Sequence, residues 1–193
     1  MRLIKLFVLC TFLCLSNFTV FAQDGEENNN TVAISIPEVA IMDIESKGSQ
    51  SISFVIGAPS EAGLMIDLTA AADSSLWLNY SSVRSKTNES DRSIYAKVIS
   101  GSVPSGLKLR VKAQPYTGSG DGKLGVPANG TSGRVLINTN RRIIRIIKTC
   151  YTGDGAGNGH RLDYSLEFRN NQYNKIDFDD SNTVTVLYTI TDN

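Results

Sequence analysis

The chain has 193 residues, 41% of them hydrophobic, with 19 lysines and arginines against 19 aspartates and glutamates. The balanced charge argues against a nucleic-acid partner, which requires a strong basic excess. The length suits one domain with its own core. Two of the three cysteines, Cys10 and Cys14, lie in the N-terminal leader described below, so only one cysteine remains and an internal disulfide framework is excluded.

Residues 1–22 have the features of a signal peptide. Arg2 and Lys5 precede an apolar stretch, which ends at the small-residue pattern of Val20-Phe21-Ala22. Without this leader the cations fall to 19 − 2 = 17 against 19 acids, a net charge of −2. The stretch is short for a spanning helix. We therefore expect export to the periplasm, the cell surface or the medium, and the leader resembles those of secreted bacterial proteins.

The mature chain is predicted to begin with a flexible tail at residues 23–30, "QDGEENNN", which holds no apolar residue. A β-sandwich domain is predicted for residues 31–193, because apolar and polar residues alternate with period two. The alternating segments are 32–36, 52–56, 64–68, 107–113, 162–168 and 184–190, with further strand candidates at 75–82, 93–100 and 133–138. These predict an all-β fold, a single antiparallel sandwich of about nine or ten strands, either immunoglobulin-like or a jelly roll.

The segment 141–148, "RRIIRIIK", fits two structures. On a helix its isoleucines and its cations would take separate faces, as in a basic membrane-binding helix. As a strand its alternation is poorer, but β-branched isoleucines favour strands. We prefer a strand whose arginine stems cover an apolar edge.

Two glycine-rich runs follow Tyr-Thr-Gly: "YTGSGDGKLG" at 116–125 and "YTGDGAGNGH" at 151–160. The first contains a G-x-G-x-x-G pattern, but a dinucleotide site needs a helix after it, and the next segments indicate strands. One interpretation is that the two runs are paired loops at one end of the sandwich, where binding sites often lie. We prefer the other, in which their glycines only supply positive φ in long turns.

No cofactor is required by the sequence, and calcium is the metal that its loops would suit best. Carboxylates on flexible loops are hard oxygen ligands, yet they are also ordinary turn residues. The weak calcium candidates are Asp121, Asp154, Asp177, Asp179 and Asp180. Zinc is less favoured, because a lone Cys150 and a lone His160 lack further ligands.

Catalysis is not expected. Cys150 and His160 could form a dyad only if their loop closes on itself, and no orienting acid or amide is recognisable beside them. We expect instead a small buried cysteine and a solvent-exposed loop histidine.

Trp77 lies in "SSLWLNYSS", where Leu76, Leu78 and Tyr80 take one face of a strand and Trp77 takes the other with Asn79. An exposed tryptophan among amides and hydroxyls can stack on a sugar ring. Burial between the sheets and a covering loop is the interpretation we prefer, because tryptophan is usually highly buried. The candidate ligand-binding residues are Trp77, Asn79, Asp121, Asp154, Asn158 and His160.

The C-terminal "SNTVTVLYTITDN", residues 181–193, resembles the closing strand of bacterial spore-coat-U and chaperone–usher pilin subunits. The segment "LDYSLEF", 162–168, is similar to another of their strands. The resemblance implies an envelope fibre or surface subunit whose partners are other subunits joined by strand exchange. Those subunits commonly contain a disulfide, which this chain lacks the cysteines to form.

We therefore expect an exported structural or adhesive surface subunit without catalysis; the alternative is a carbohydrate-binding module whose partners are surface glycans. Residues 31–36, "TVAISI", are expected to form the first strand of a complete sandwich that folds as a soluble monomer. Deleting residues 23–36 should then destabilise the monomer. The alternative is a donor strand needed only for fibres.

Overall fold

A computed structural model describes residues 29–87, 90–128, 130–180 and 182–193. The predicted signal peptide and the tail up to residue 28 lie outside these ranges. A compact unit runs from Ile36 to Asn193, and residues 29–35 belong to a separate unit. None of the helical structure in the described ranges is long and apolar enough to cross a bilayer.

Antiparallel strands build the compact unit, together with a 3-10 turn at Tyr173–Lys175. The strands are β1 Val39–Ser46, β2 Ala72–Val83, β3 Arg92–Ser100, β4 Leu107–Ala113, β5 Asp121–Gly122, β6 Val126–Pro127, β7 Arg134–Val135, β8 Arg141–Ile147, β9 Cys150–Tyr151, β10 His160–Phe168 and β11 Thr185–Asp192.

The first sheet is centred on β2. The whole length of β1 pairs with one edge of β2, and β10 and β9 share the other edge of β2. Strand β4 pairs with β10, β7 with β4, and β5 with β9. The second sheet has the order β11, β3, β8, β6. Both sheets are antiparallel and they pack face to face, so the predicted β-sandwich is confirmed.

The core lies between the two sheets. Alternate residues of β2, β4 and β10 point inward from the first sheet and meet inward residues of β3 and β8. Fully buried members include Leu78, Val111, Leu162, Ile94 and Ile143. Each such side chain contributes about 1.5–3 kcal/mol by leaving water, which makes packing the main source of stability.

Three of the alternating N-terminal segments are not strands. Val32, Ile34 and Ile36 are 71%, 83% and 75% exposed, so the expectation that residues 31–36 form the first core strand is wrong. Ile52 and Phe54 pack against the core without a ladder, and a single bridge joins Gly57 to Asp67. Alternation shows that a segment can present an apolar face, but a ladder also needs a neighbouring strand edge. Strand β1, which begins at Val39, was not predicted.

Residues 141–147 of the segment 141–148 form strand β8, and the helical alternative is wrong. Its pattern looked poor because consecutive Ile143 and Ile144 are both buried, as is Ile147. The register with β3 shifts on both sides of Ile94, and Ile146 has a positive φ of 63°. These irregularities re-aim successive side chains inward, as β-bulges do.

Candidate functional site

The two glycine-rich loops meet at one end of the first sheet, as the interpretation of paired loops requires. The Thr117 N–H donates to the Gly159 carbonyl at 3.0 Å, and the Tyr116 hydroxyl donates to the Thr152 carbonyl at 3.1 Å. The Ser119 N–H donates to Asn158 Oδ1 at 3.1 Å. Each loop therefore holds the other in place.

Glycine is required where these loops cross strands. A Cβ on Gly159, whose φ is 85°, would lie 2.2 Å from the Leu78 carbonyl oxygen. One on Gly120 would lie 2.0 Å from the Tyr151 carbonyl oxygen. Close backbone approach and positive φ explain these glycines. The chain after "GDGKLG" enters β6, so the dinucleotide pattern lacks the helix it needs.

Asn158 is a structural residue of the loop. Besides accepting from Ser119, its side-chain amide donates to the Asp154 carbonyl at 2.5 Å. It therefore closes its own loop and ties that loop to the other run, and its side chain is engaged in these bonds.

His160 is fully buried, so the expectation of a solvent-exposed loop histidine is wrong. It is the first residue of β10 and shares the inward face of Leu162. Its Nδ1 is 2.8 Å from the Gln114 carbonyl oxygen, and its Nε2 is 3.1 Å from the Tyr80 hydroxyl. Burial lowers the pKa of His160 below its usual value, against a smaller raising effect of the Gln114 bond. It is therefore a core residue.

Cys150 is buried at the start of β9, as predicted. Burial raises its pKa to about 11. A thiol with this pKa stays protonated at neutral pH and is a poor nucleophile. The two ring nitrogens of His160 are engaged with the Gln114 carbonyl and the Tyr80 hydroxyl, respectively. Cys150 and His160 are therefore not arranged as a nucleophile and its base.

Trp77 lies on the outer face of β2, opposite in orientation to Leu76 and Leu78, as the alternation predicted. It is half-buried between the Cα partners Glu45 on β1 and Arg161 on β10. Its ring is therefore neither fully exposed nor enclosed in the core.

A row of residues on the same outer face crosses four strands. The Cα partners are Ile41 on β1, Ser81 on β2, Tyr151 on β9 and Asp121 on β5. Ile41 is 65% exposed and Tyr151 is 51% exposed, and the small Ser81 lies between them. The result is a groove of about 290 Å³, whose other lining residues include Asp43, Asn79, Gly153 and Asp154.

Asn79 lies beside this groove and is only 5% exposed, in contrast to the exposed amide that sequence suggested. Its side-chain amide donates to the Gly155 carbonyl at 3.1 Å. Its Oδ1 is buried and has no hydrogen-bond partner among the described residues. A buried polar atom without a partner is uncommon in proteins and marks a place where water or a ligand can bind.

The structure thus brings together part of the predicted site. Asn79 and Asp154 line the groove, Asp121 is adjacent to Tyr151, and Trp77 is in the next outward position of β2. Asn158 and His160 have structural roles. Sequence reasoning missed Ile41, Asp43 and Tyr151, because only strand pairing places β1 and β9 beside β2.

The calcium candidates do not form one site. Within the described ranges, no three acid, histidine or cysteine side chains are close enough to share a metal ion. Asp177 accepts the Asp179 N–H at 3.1 Å, and Asp121 accepts the Gly122 N–H at 2.6 Å. These are ordinary turn contacts.

A second concavity, of about 450 Å³, lies away from these loops. It is lined by Leu64, Met65, Phe168 and Tyr173 among others, and the Tyr173 hydroxyl accepts the Ile66 N–H at 3.1 Å. Tyr173 thereby ties the irregular segment before β2 to the chain after β10, which accounts for this aromatic residue structurally.

No protein family, curated protein or solved structure matches this chain.

Proposed function

We propose that this protein is an exported, non-catalytic surface subunit that associates with further copies of itself through the free edge of β11. The observation that carries the proposal is the pairing of this strand. Thr185–Asp192 pairs with β3 along one edge, and within the described ranges no strand pairs with the other. An unpaired edge presents a row of backbone donors and acceptors to a second chain.

The side chains of β11 suit strand pairing. Val186, Tyr188 and Ile190 point toward the core and are half-buried, whereas three threonines and Leu187 occupy the exposed face. β-Branched and aromatic residues favour strands. No charged residue interrupts the strand before Asp192, although natural proteins often place one on an edge to prevent association.

The other long edge is better protected. On β1, the Ile44 N–H donates to Asp43 Oδ1 at 2.7 Å, and the Ile44 carbonyl accepts from Gln50 Nε2 at 2.6 Å. Side chains thus satisfy backbone groups that an incoming strand would need. This difference supports β11 as the assembly edge.

Two sequence features support the same function. The signal-peptide pattern of residues 1–22 fits a surface location, and residues 181–193 resemble the closing strand of fibre subunits. The raised pKa of the buried Cys150 fits a structural role for the one thiol outside the leader.

The test is disulfide trapping across the edge. Thr185, Leu187 and Thr189 are exposed on β11, so each is replaced by cysteine, singly and in pairwise mixtures, while the buried Cys150 is left in place. We expect mild oxidation to give covalent dimers for the positions that face each other across an antiparallel β11–β11 pair. Light scattering should show concentration-dependent dimers of the parent protein.

The matched control is Ser60→Cys, because Ser60 is exposed and lies outside the strands. Equal cross-linking at Ser60 would reveal random collision and contradict the proposal. A parent protein that stays monomeric at several hundred micromolar, with no cross-link at any β11 position, would also contradict it.

A further inference from the structure

We infer that the outer-face groove between β1 and the 151–160 loop binds an uncharged pyranose residue of a glycan. The groove lies on the first sheet, whereas the assembly edge belongs to the second, so this inference does not depend on self-association. Its volume of about 290 Å³ is at the lower end of the range for small-molecule sites and suits one sugar ring.

The walls of the groove supply apolar contact. Tyr151 is half exposed, and no hydrogen bond or ring contact among the described residues holds its side chain. Ile41 faces it across Ser81, on the far side of β2. An exposed aromatic face can pack on the C–H face of a pyranose, and a facing aliphatic side chain can contact the ring edge. Ser81 leaves room between them.

The floor supplies polar contact. Asn79 and Ser81 are successive outward residues of β2, and the buried Asn79 Oδ1 lacks a donor. The Gly155 carbonyl holds the amide nitrogen, which fixes the side chain in position. Because this oxygen has almost no surface open to the groove, a water bound beneath the sugar would supply the donor that it lacks.

Two carboxylates decide which sugars fit. Asp43 is the next outward residue of β1 after Ile41, and Asp154 is the loop residue directly after Gly153. Both are exposed at the rim of the groove. Carboxylates accept hydrogen bonds from neighbouring hydroxyls but repel anions. Asp121, beside Tyr151, adds a third negative charge to this side. The groove should therefore accept neutral sugars and reject uronic-acid polymers.

Trp77 gives the site a reporter. It is the only tryptophan of the chain and occupies the outward position of β2 next to Asn79, about 7 Å along the strand. A sugar chain lying along β2 would reach it with its next residue. Oligosaccharides should therefore change Trp77 fluorescence more than the corresponding monosaccharides do.

The experiment titrates the dilute, monomeric protein with neutral tetrasaccharides of glucose, mannose, xylose and N-acetylglucosamine, and with tetragalacturonate. Binding is followed by saturation-transfer NMR of the sugar and by Trp77 fluorescence. We expect at least one neutral tetrasaccharide to bind, and Tyr151→Ala to weaken that binding at least tenfold. Tyr151→Phe should bind like the parent, because stacking needs only the ring.

Two further variants isolate the groove. Ser81→Leu fills the space between Ile41 and Tyr151 and should abolish binding, while Asp43→Asn with Asp154→Asn should weaken neutral sugars and relieve the rejection of tetragalacturonate. Tyr173→Ala is the matched control, since Tyr173 is 47% exposed and lies outside the groove. Thermal unfolding confirms that each variant is folded.

The inference is overturned by any of four results. The first is that no neutral tetrasaccharide binds at tens of millimolar, and the second is that tetragalacturonate binds the parent protein as well as the neutral sugars do. The third is that Tyr173→Ala removes binding whereas Tyr151→Ala and Ser81→Leu leave it unchanged. A loss with Trp77→Ala alone, with Tyr151→Ala unchanged, would place the site on the tryptophan and likewise overturn it.

Discussion

The rings of Tyr80 and His160 stack in the core, with centroids 5.9 Å apart and planes at 9°. Because a carbonyl can only accept, Nδ1 of His160 carries the proton and donates to Gln114. Nε2 then accepts from the Tyr80 hydroxyl, which itself accepts the Gly125 N–H at 3.0 Å. One hydrogen-bonded chain thus joins β2, β10 and the segment that leads into β6.

Tyr80→Phe should destabilise the fold. It removes the hydroxyl and leaves the Gly125 N–H and His160 Nε2 buried without partners. Each unsatisfied group costs about 1–3 kcal/mol, so we expect the free energy of unfolding to fall by roughly 2–6 kcal/mol in urea titrations. Tyr95→Phe is the control, because the Tyr95 hydroxyl makes only an exposed contact, 3.4 Å from Asn193. Equal effects would contradict the network.

Stability should fall with acidification below about pH 6.5, the usual pKa of histidine. Burial lowers the pKa of the folded-state His160, so the unfolded chain binds a proton that the folded chain does not. The contribution is complete above that pH and is lost as the pH falls, by up to about 1.4 kcal/mol per pH unit.

His160→Gln should lose this dependence between pH 5 and 6.5, although it will be less stable at neutral pH. His160 is the only histidine of the chain. Burial acts to raise the pKa of Asp163, but hydrogen bonds from Arg161, Gln114 and Ser74 lower it overall. Protonation of Asp163 therefore affects the free energy of unfolding only at a pH below the range in which His160 titrates. An unchanged slope in His160→Gln would refute the assignment to His160.

Removing the carboxylate partners of Arg92 should lower the free energy of unfolding more than replacing Arg92 itself. Its side chain is 1% exposed and pairs with Glu38 and Asp192, which are each more than half exposed. Glu38→Gln with Asp192→Asn takes both of these carboxylates away from a buried cation, and we expect a loss of about 3–5 kcal/mol. Arg92→Met frees both acids to water and removes the donor to Ser82, for about 1–3 kcal/mol. Chemical denaturation measures both, and the reverse order would contradict this account.

Cys150 should be inert in the folded protein. Its burial and its raised pKa predict no reaction with a thiol reagent at neutral pH until denaturant is added. Cys150→Ser should lower the free energy of unfolding by about 1 kcal/mol or more, because a hydroxyl replaces a buried thiol. A disulfide-linked dimer of the parent protein on non-reducing gels would show that the thiol is accessible.

Deleting residues 23–35 should leave the sandwich as stable as the parent. Val32 and Ile34 are largely exposed, so their removal takes little apolar surface out of a packed environment. We expect the melting temperature to change by less than about 3 °C. A much larger drop would mean that this segment contributes to the core. Ile44→Asp is the positive control, because Ile44 of β1 packs against the core, and it should lower the melting temperature.

The sequence by itself determined the all-β class, the inward faces of β2, β4 and β10, and the strand at 141–147. These follow from period-two alternation and from local chemistry, which depend on near neighbours in the chain. His160 was within reach of the same argument, because starting β10 one residue earlier puts it on the face of Leu162.

Only the tertiary structure decided which alternating segments became strands and which residues share a groove. Residues 31–36 alternate cleanly yet pair with nothing among the described residues, whereas Val39–Ser46 alternates poorly and pairs fully with β2. Ile41, Ser81 and Tyr151 are far apart in sequence and become neighbours only through the register of β1, β2 and β9. Register is set by the summed packing of whole sheets, because a slip of one residue would turn every side chain to the opposite face.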